Sequence, residues 1–471
     1  MDFKIIENFT DSEFGKKEKA AKTARVHELA ARGFEDEKII IDIIKNEKPI
    51  PKKLPAELYD MVNYMCRRKM DRIARFEIEY DFIPDIRILK TVLLCLIEAA
   101  PVFHSQFIDN HIKPYWRVSD YRIDDIFSVQ KTDNLQQSAD EFLLNDIPVK
   151  SNVQIKIRLL ICGGKSRLCF IFNHMCMDGG GVKSFLNDLF RGYDSYLKNG
   201  TVNVFYSDKS RAYERVYDDM SEEDKRAAKK LFAGNTVKDR HSLPFTPADK
   251  ADKKIFVRKK IGADVFEPAR LKAKQYGATA NDLICAAYIR AFYDVSGCEE
   301  TEKIGISCAV DLRRYMKRPE NIGYTNHTAF MPCTVDSMGE TMADTLKAVV
   351  KSTVEAKSDK FVGLHGQPLL NLGFSTMVYA QAEMITGLFY NVANLSVSNV
   401  GAITAEAFAM GNHSPTGVWV GGAAKDKPCA ALNVLSYAGD LMLTTCIKGN
   451  ESDRKILSLF FDRIEENLRL L

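Results

Sequence analysis

The stretch Phe172-Asn173-His174-Met175-Cys176-Met177-Asp178-Gly179-Gly180-Gly181 decides the reading of this chain. It follows the apolar run from Leu168 to Phe172, so its histidine stands where a buried strand leaves the core. Unperturbed imidazole titrates near about 6.5, so such a histidine can take a proton at neutral pH and return it. Asp178 follows four residues later, and the three glycines let the backbone turn tightly before a helix. An imidazole with a carboxylate in the next turn is a general-base arrangement. The same residues also read as a plain strand-to-helix connection in which Asp178 caps the helix.

The flanks support a strand–turn–helix unit. Residues 153–161 alternate, with Val153, Ile155, Ile157 and Leu159 on one face; Gly163-Gly164 makes a turn, and 167–173 returns as a second strand. After the glycines, Val182, Phe185, Leu186, Leu189, Phe190, Tyr193 and Leu197 form an apolar stripe at helical spacing, and Gly200 stops it. Upstream, 75–82 reads as strand, 84–99 as helix and 103–118 as strand material. Downstream, 254–261 is strand-like and 264–276 helical, and Thr279-Ala280-Asn281-Asp282 caps a further helix. Strand 303–310, helix 341–357, strands 395–400, 417–421, 432–437 and 441–447, and a final helix capped by Ser452 complete the chain.

The organisation expected is a helical N-terminal appendage over 1–54, a first α/β domain over 55–202, a charged crossover linker over 203–253 and a second α/β domain over 254–471. The appendage reads as packed on the first domain, as a dimer contact or as a solvated leader. A length of 471 residues calls for about two domains, and 46% hydrophobic with 27% charged residues is the composition of a globular protein. A net charge of +3 gives no reason to expect nucleic acid or an anionic membrane as partner.

Eleven scattered cysteines without a Cys-x-x-Cys pair point to a reducing compartment. The longest apolar run, 91–103, is broken by Glu98 and Pro101 and falls short of the ~20 residues of a spanning helix. The expectation is a cytoplasmic chain without a transmembrane segment. No histidine, cysteine or carboxylate cluster has metal-ligand spacing. Gly163-Gly164-Lys165-Ser166 reads as a hairpin turn, because a phosphate-binding loop needs glycine where Leu159 stands. Cys176, between two methionines, reads as buried rather than as a thiolate nucleophile.

Three further segments join the histidine motif: Asp311-Leu312-Arg313 with Gly323 downstream, Ser396-Val397-Ser398-Asn399-Val400-Gly401, and Thr279-Ala280-Asn281-Asp282. Taken in this order, the His-x-x-x-Asp-Gly string and these segments resemble the CoA-dependent acyltransferase superfamily. That superfamily includes chloramphenicol acetyltransferase, alcohol and wax-ester acyltransferases and peptide-synthetase condensation domains. The resemblance spans roughly residues 75–445 and departs from condensation domains at Asn173, where they usually carry a first histidine.

The resemblance implies an α/β fold of two chloramphenicol-acetyltransferase-like sandwich domains forming a pseudo-dimer with a central channel. It implies acyl transfer from a thioester to a hydroxyl or amine, with His174 and Asp178 as the catalytic residues and His174 as general base. Asp178 would be largely structural in that role, pairing with Arg313 to hold the histidine loop; Arg313 and Gly179 would support the site, and Ser398 or Asn399 would stabilise the oxyanion in the channel. No cofactor is held permanently; acyl-CoA, or an acyl-phosphopantetheine, is the co-substrate. The partners expected are a small-molecule acyl acceptor and, alternatively, an acyl carrier protein, on a monomer or weak homodimer. The rival readings are a condensation-type enzyme with a carrier-bound donor and a non-catalytic binding or scaffold protein on the same fold.

Overall fold

Strand Lys165–Asn173 is apolar on both faces, and its alternation sorts its side chains into two cores. Leu168, Phe170 and Phe172 join the main N-terminal core, while Cys169 and Ile171 pack with Ala139, Phe142 and Leu143 of helix Leu135–Leu143. The strand pairs antiparallel with Ile73–Tyr80 on one side and Ile155–Cys162 on the other. These three lie inside a five-stranded sheet, flanked by Phe127–Lys131 at one edge and Gly417–Gly421 at the other. Helices Ile86–Ala99 and Gly179–Asn199 pack together on the Phe170 face.

The computed structural model describes residues 16–47, 49–202, 210–232, 237, 239–389 and 393–471. Residues 1–15 of the expected appendage and 203–209, 233–236 and 238 of the expected crossover lie outside them.

The second lobe is built on a seven-stranded mixed sheet. Its path runs Thr328–Val335, Ile304–Asp311, Leu395–Ile403, Ala430–Tyr437, Asp440–Gly449 and Lys425–Asp426, and Lys253–Ile261 also pairs with Asp440–Gly449. Helices Ala263–Lys274, Ala280–Ser296, Met342–Ser358 and Glu451–Arg469 bury one face of it around Leu283, Ile289, Leu346 and Phe460. Thr279 caps its helix as the sequence implies, its hydroxyl accepting from Asp282 N–H while Asp282 accepts from Thr279 N–H. The expected strand over 103–118 is a 3-10 turn and two short strands, Ser105–Ile108 and Tyr115–Val118, in a separate three-stranded sheet.

Three features tie the lobes together. Gly417–Gly421, in the C-terminal half of the chain, completes the N-terminal sheet by pairing with Ile73–Tyr80. Across that seam Glu77, fully buried, holds Arg167 of the first lobe at 2.6 Å and Arg258 of the second at 2.8 Å. Helices Gln367–Thr376 and Tyr379–Phe389 reach back as well, with Phe374, Tyr379 and Ala382 in the N-terminal core.

Helices Lys16–Arg32 and Glu37–Asn46 pack on the first lobe through Val26, Leu29, Ile40 and Ile44. Beneath them Glu98 is buried and accepts from Arg25 at 2.8 Å, from Arg32 and from Tyr121 at 2.7 Å. Burial pushes this carboxyl up, but Arg32, His104 and Arg25 outweigh it and hold it below the usual carboxylate range. Replacing Glu98 by Ala would remove the buried carboxylate that Arg25 and Arg32 share, leaving Arg25 with Glu28 and Glu47, Arg32 with Glu28 and Asp120, and the Tyr121 hydroxyl without its acceptor, which costs about 2–3 kcal/mol. Urea unfolding of Glu98→Ala should show a loss of that size, with faster amide exchange confined first to residues 16–46. A change below ~1 kcal/mol with unaltered exchange would refute this docking role.

Candidate active site

His174 follows the last residue of strand Lys165–Asn173 directly, and its N–H donates to Arg72 O at 2.7 Å. Asn173 is 3% exposed and ties the loop that follows: its side-chain oxygen accepts from Met175 N–H at 3.1 Å and its carbonyl from Cys176 N–H at 2.9 Å. Its amide donates to Gln154 at 2.7 Å. The position where condensation domains carry a first histidine is therefore a structural hydrogen-bonding node here. Asp178 then caps helix Gly179–Asn199, accepting from Gly181 N–H at 2.8 Å.

The glycine run serves a purpose different from the tight turn expected of it. Gly179, Gly180 and Gly181 are the first residues of the helix, and none has a left-handed backbone. What they supply is close approach. A Cβ on Gly180 would stand 2.5 Å from Arg313 Nη1, and one on Gly181 would stand 2.7 Å from Met177 Cβ and 3.0 Å from Thr325 O. A Cβ on Gly179 would meet Val400 at 3.4 Å.

Asp178 is 1% exposed and is surrounded by donors from the second lobe. Arg313 approaches it with both terminal nitrogens, Nη2 to Oδ1 at 2.8 Å and Nη1 to Oδ2 at 3.1 Å. His327 N–H donates to Oδ2 at 2.6 Å and the Thr328 hydroxyl at 2.8 Å. Burial pushes the carboxyl up, yet Arg313 and the backbone donors overcome it and hold the group well below the usual carboxylate range. Arg313 also donates to Thr325 O at 2.8 Å and to Asp311 at 3.1 Å. Among the described residues Asp178 has no hydrogen bond to His174. Its lone pairs are committed to Arg313, Gly181, His327 and Thr328, the loop-holding arrangement with Arg313 that the resemblance implies, rather than to the imidazole.

The carbonyls of the loop are held as firmly. Asn326 donates to Met175 O at 3.0 Å, and Arg211 donates to Cys176 O at 3.1 Å while pairing with the buried Asp60 at 2.9 Å. Cys176 is sealed from solvent, and burial pushes its thiol far up, so it is no thiolate nucleophile. The His174 imidazole is half-buried; its Nδ1 is buried without a hydrogen-bond partner among the described residues.

Ser398 and Asn399 separate. Leu395 and Val397 face the second core, so alternation puts Ser396 and Ser398 on the opposite face of Leu395–Ile403. Val400, next on that face, meets the first residue of the motif helix, and Lys183 of the same helix donates to Ala402 O at 3.3 Å. Asn399 turns the other way, toward Asn281 at 3.4 Å, and accepts from Gly401 N–H at 2.8 Å at a bulge. The structure thus gathers His174, Asp178, Gly179 and Arg313 and brings in the Ser398 face, while Asn399, half-buried, is turned toward Asn281 of the second lobe.

Sequence reasoning missed Arg211, Asn326, His327 and Thr328. The polar string Thr325-Asn326-His327-Thr328 just before a strand was the available signal. His327 is fully buried, both ring nitrogens lack partners among the described residues, and it stacks on Tyr213 at 6.2 Å. Burial first, then the Arg313 charge, push it down to about 4.

No protein-family model and no curated protein sequence matches the chain. Solved structures do. Polyketide synthase associated protein 5 from Mycobacterium tuberculosis superposes with a TM-score of 0.61 at 13% identity, over 89% of this chain and 99% of that one. The first condensation domain of the calcium-dependent antibiotic synthetase gives 0.63 at 12%, over 88% and 95%. A trichothecene 15-O-acetyltransferase from Fusarium sporotrichioides gives 0.62 at 16%, over 89% and 95%. The chain therefore has the two-lobed fold that these condensation and acetyltransferase structures share. At these identities the likeness concerns the two-lobed fold, and the site is described by its own geometry.

Two measurements check this geometry. Asp178→Asn removes one charge of a buried pair and turns an acceptor into a donor, so it should cost on the order of 3–5 kcal/mol in urea unfolding; a loss under ~1 kcal/mol would show that the pair does not hold the lobes. His327 gives a pH effect. Its folded pKa is about 4 and its unfolded value about 6.5, so the unfolded chain binds the proton first as pH falls. Its stabilisation is complete above about 6.5 and declines as pH falls toward 4, by on the order of 3 kcal/mol. His327→Leu should flatten the stability profile between pH 6.5 and 4 relative to wild type; parallel profiles would contradict this.

Proposed function

We propose that the protein is an acyltransferase that moves an acyl group from a thioester to a hydroxyl or amine, with His174 as general base. The observation carrying this reading is a half-buried imidazole, without a hydrogen bond among the described residues, on a loop whose neighbouring backbone and carboxylate groups are otherwise tied down. An imidazole so placed has its hydrogen-bonding capacity left for a substrate. His174 takes the proton of the acceptor O–H or N–H as that atom forms a bond to the thioester carbonyl carbon. The carbon–sulfur bond then breaks, and the imidazolium returns the proton to the leaving thiolate. No acyl-enzyme is needed, because holding both substrates beside one base supplies much of the rate.

Asp178 acts at a distance from the reacting atoms. It positions the His174 loop by joining it to Arg313, His327 and Thr328. Ser398 is the candidate donor to the oxyanion, since its face of the strand adjoins the motif helix; Asn399 faces away. We take acyl-CoA as the donor. Asn173 is engaged with Gln154 and Met175, so a second imidazole function of the condensation-domain kind is absent from that position.

The test is free-thiol release from short- to long-chain acyl-CoAs with pooled alcohol and amine acceptors. Acceptor-dependent release should fall ~10²–10⁴-fold in His174→Ala, with an unchanged melting temperature. A fully active His174→Ala protein would overturn the mechanism. Release by neither protein would favour a carrier-bound donor or a binding role on this fold.

A further inference from the structure

Beside His174 stand two cations that no carboxylate contacts among the described residues. Arg72, whose carbonyl receives the His174 N–H, is half-buried; its guanidinium lies over the Tyr64 ring at 5.9 Å and donates from Nη1 to Met175 Sδ at 3.7 Å, while Asp146 and Asp71 act on it only through space. Lys425 is half-buried too, and its ammonium donates to Ser396 Oγ at 3.0 Å. Neither forms an ion pair among the described residues.

The backbone brings these two side chains together. Met70 and Lys425 face one another in an antiparallel bridge, flanked by Asp71 N–H to Ala424 O at 2.9 Å and Asp426 N–H to Lys69 O at 2.9 Å. Opposed residues and those two removed share a face, so Met70, Arg72 and Lys425 project to the same side. Arg72 and Lys425 are diagonal neighbours, roughly 7–8 Å apart at the backbone. Two long cationic side chains at that spacing can close on one carboxylate or phosphate.

The carboxylates nearest in sequence are committed on the other face. Asp71 pairs with Arg75 at 2.5 Å and Lys254 at 3.1 Å, and Asp426 pairs with Lys448 at 2.8 Å. Burial lowers the affinity of Lys425 for its proton, with only the Cys429 and Cys66 thiols beside it to oppose the shift. Lys69, Arg240 and Asp426 act on the same Cys429, two cations against one carboxylate. A buried uncompensated cation is costly, and an anion arriving with a ligand relieves that cost.

The pair is also in register with the reacting centre. Ser396, which holds Lys425, lies on the Ser398 face, and four residues along that strand Val400 meets the motif helix, roughly 13 Å away. Arg72 is closer still, through its backbone bond to His174.

We propose that Arg72 and Lys425 form a subsite for an anionic group, a carboxylate or phosphate, carried by the acyl chain of the donor or by the acceptor. The assignment rests on the acyl-transfer reading for its role but not for its test. Sodium succinate and inorganic phosphate are titrated calorimetrically, at fixed ionic strength, into wild type, Lys425→Met, Arg72→Gln, the double variant and Lys425→Arg. At least one anion should bind wild type at a single site. Each neutral variant should bind it tenfold or more weakly, and Lys425→Arg should retain it. Absence of binding to wild type, or equal binding by a folded Lys425→Met, overturns the subsite.

Turnover locates the source of the anion. Succinyl-CoA is compared with butyryl-CoA for a donor-borne group, and 4-hydroxybutanoate with 1-butanol for an acceptor-borne one. In Lys425→Met the acidic-to-neutral ratio of kcat/KM should fall tenfold or more on one arm; a ratio unchanged on both arms overturns the substrate assignment. Anion binding without thiol release from any acyl-CoA would remove acyl-CoA as the donor and leave the subsite standing, whereas thiol release without anion binding would remove the subsite alone.

Discussion

A carboxylate taken out of water is stable only where donors replace the water, and the contact between Asp178 and Arg313 is where this protein meets that requirement. The desolvation cost of such a pair is several kcal/mol per ion. Here it is offset by a two-pronged guanidinium contact and by donors from Gly181, His327 and Thr328. Those donors come from both lobes. The carboxylate is therefore satisfied only when the lobes are together, and the loop carrying His174 has a defined shape only in that state. The glycines follow from the same contact, since Arg313 could not reach Asp178 past a side chain at Gly180.

Other ties relieve this single pair of the whole burden. Gly417–Gly421 crosses into the first sheet, Arg211 joins Asp60 to the motif carbonyl at Cys176, and Glu77 sits between Arg167 and Arg258. Each is a buried polar or backbone contact that would be costly to open, so the seam resists hinge motion near its centre. The strand Leu395–Ile403 inherits its position from this seam, which is how a residue of the second lobe comes to adjoin the histidine motif.

Local pattern made part of this legible. The alternation through 153–173, the stripe from Val182 to Leu197 and the cap at Thr279 each depend on neighbours within a few residues, and the structure contains each of them. The proximity of Arg313 to Asp178 was available only through the resemblance, because 135 residues separate them. Contacts at such range leave no periodicity. Gly417–Gly421 reads as a strand but carries no sign of which sheet it joins. Asn173 reads as a missing histidine until Gln154 and Met175 show what its amide does. Ser398 and Asn399 are adjacent letters, and only the register of the strand reveals that they face different lobes.

The two kinds of buried cation in this site mark a division of labour. Arg313 is compensated by Asp178 and Asp311, so nothing is gained by offering it a further anion; its work is to hold protein to protein. Arg72 and Lys425 form no ion pair among the described residues: a thioether and the Tyr64 ring stand against Arg72 and a hydroxyl against Lys425, groups that orient a cation without neutralising it. A half-buried cation in that position gives up part of its hydration without an ionic contact in return. Under the proposed function, with His174 as the base, the two kinds of charge divide the work: Arg313 holds protein to protein behind His174, and Arg72 with Lys425 would hold a substrate by its own charge.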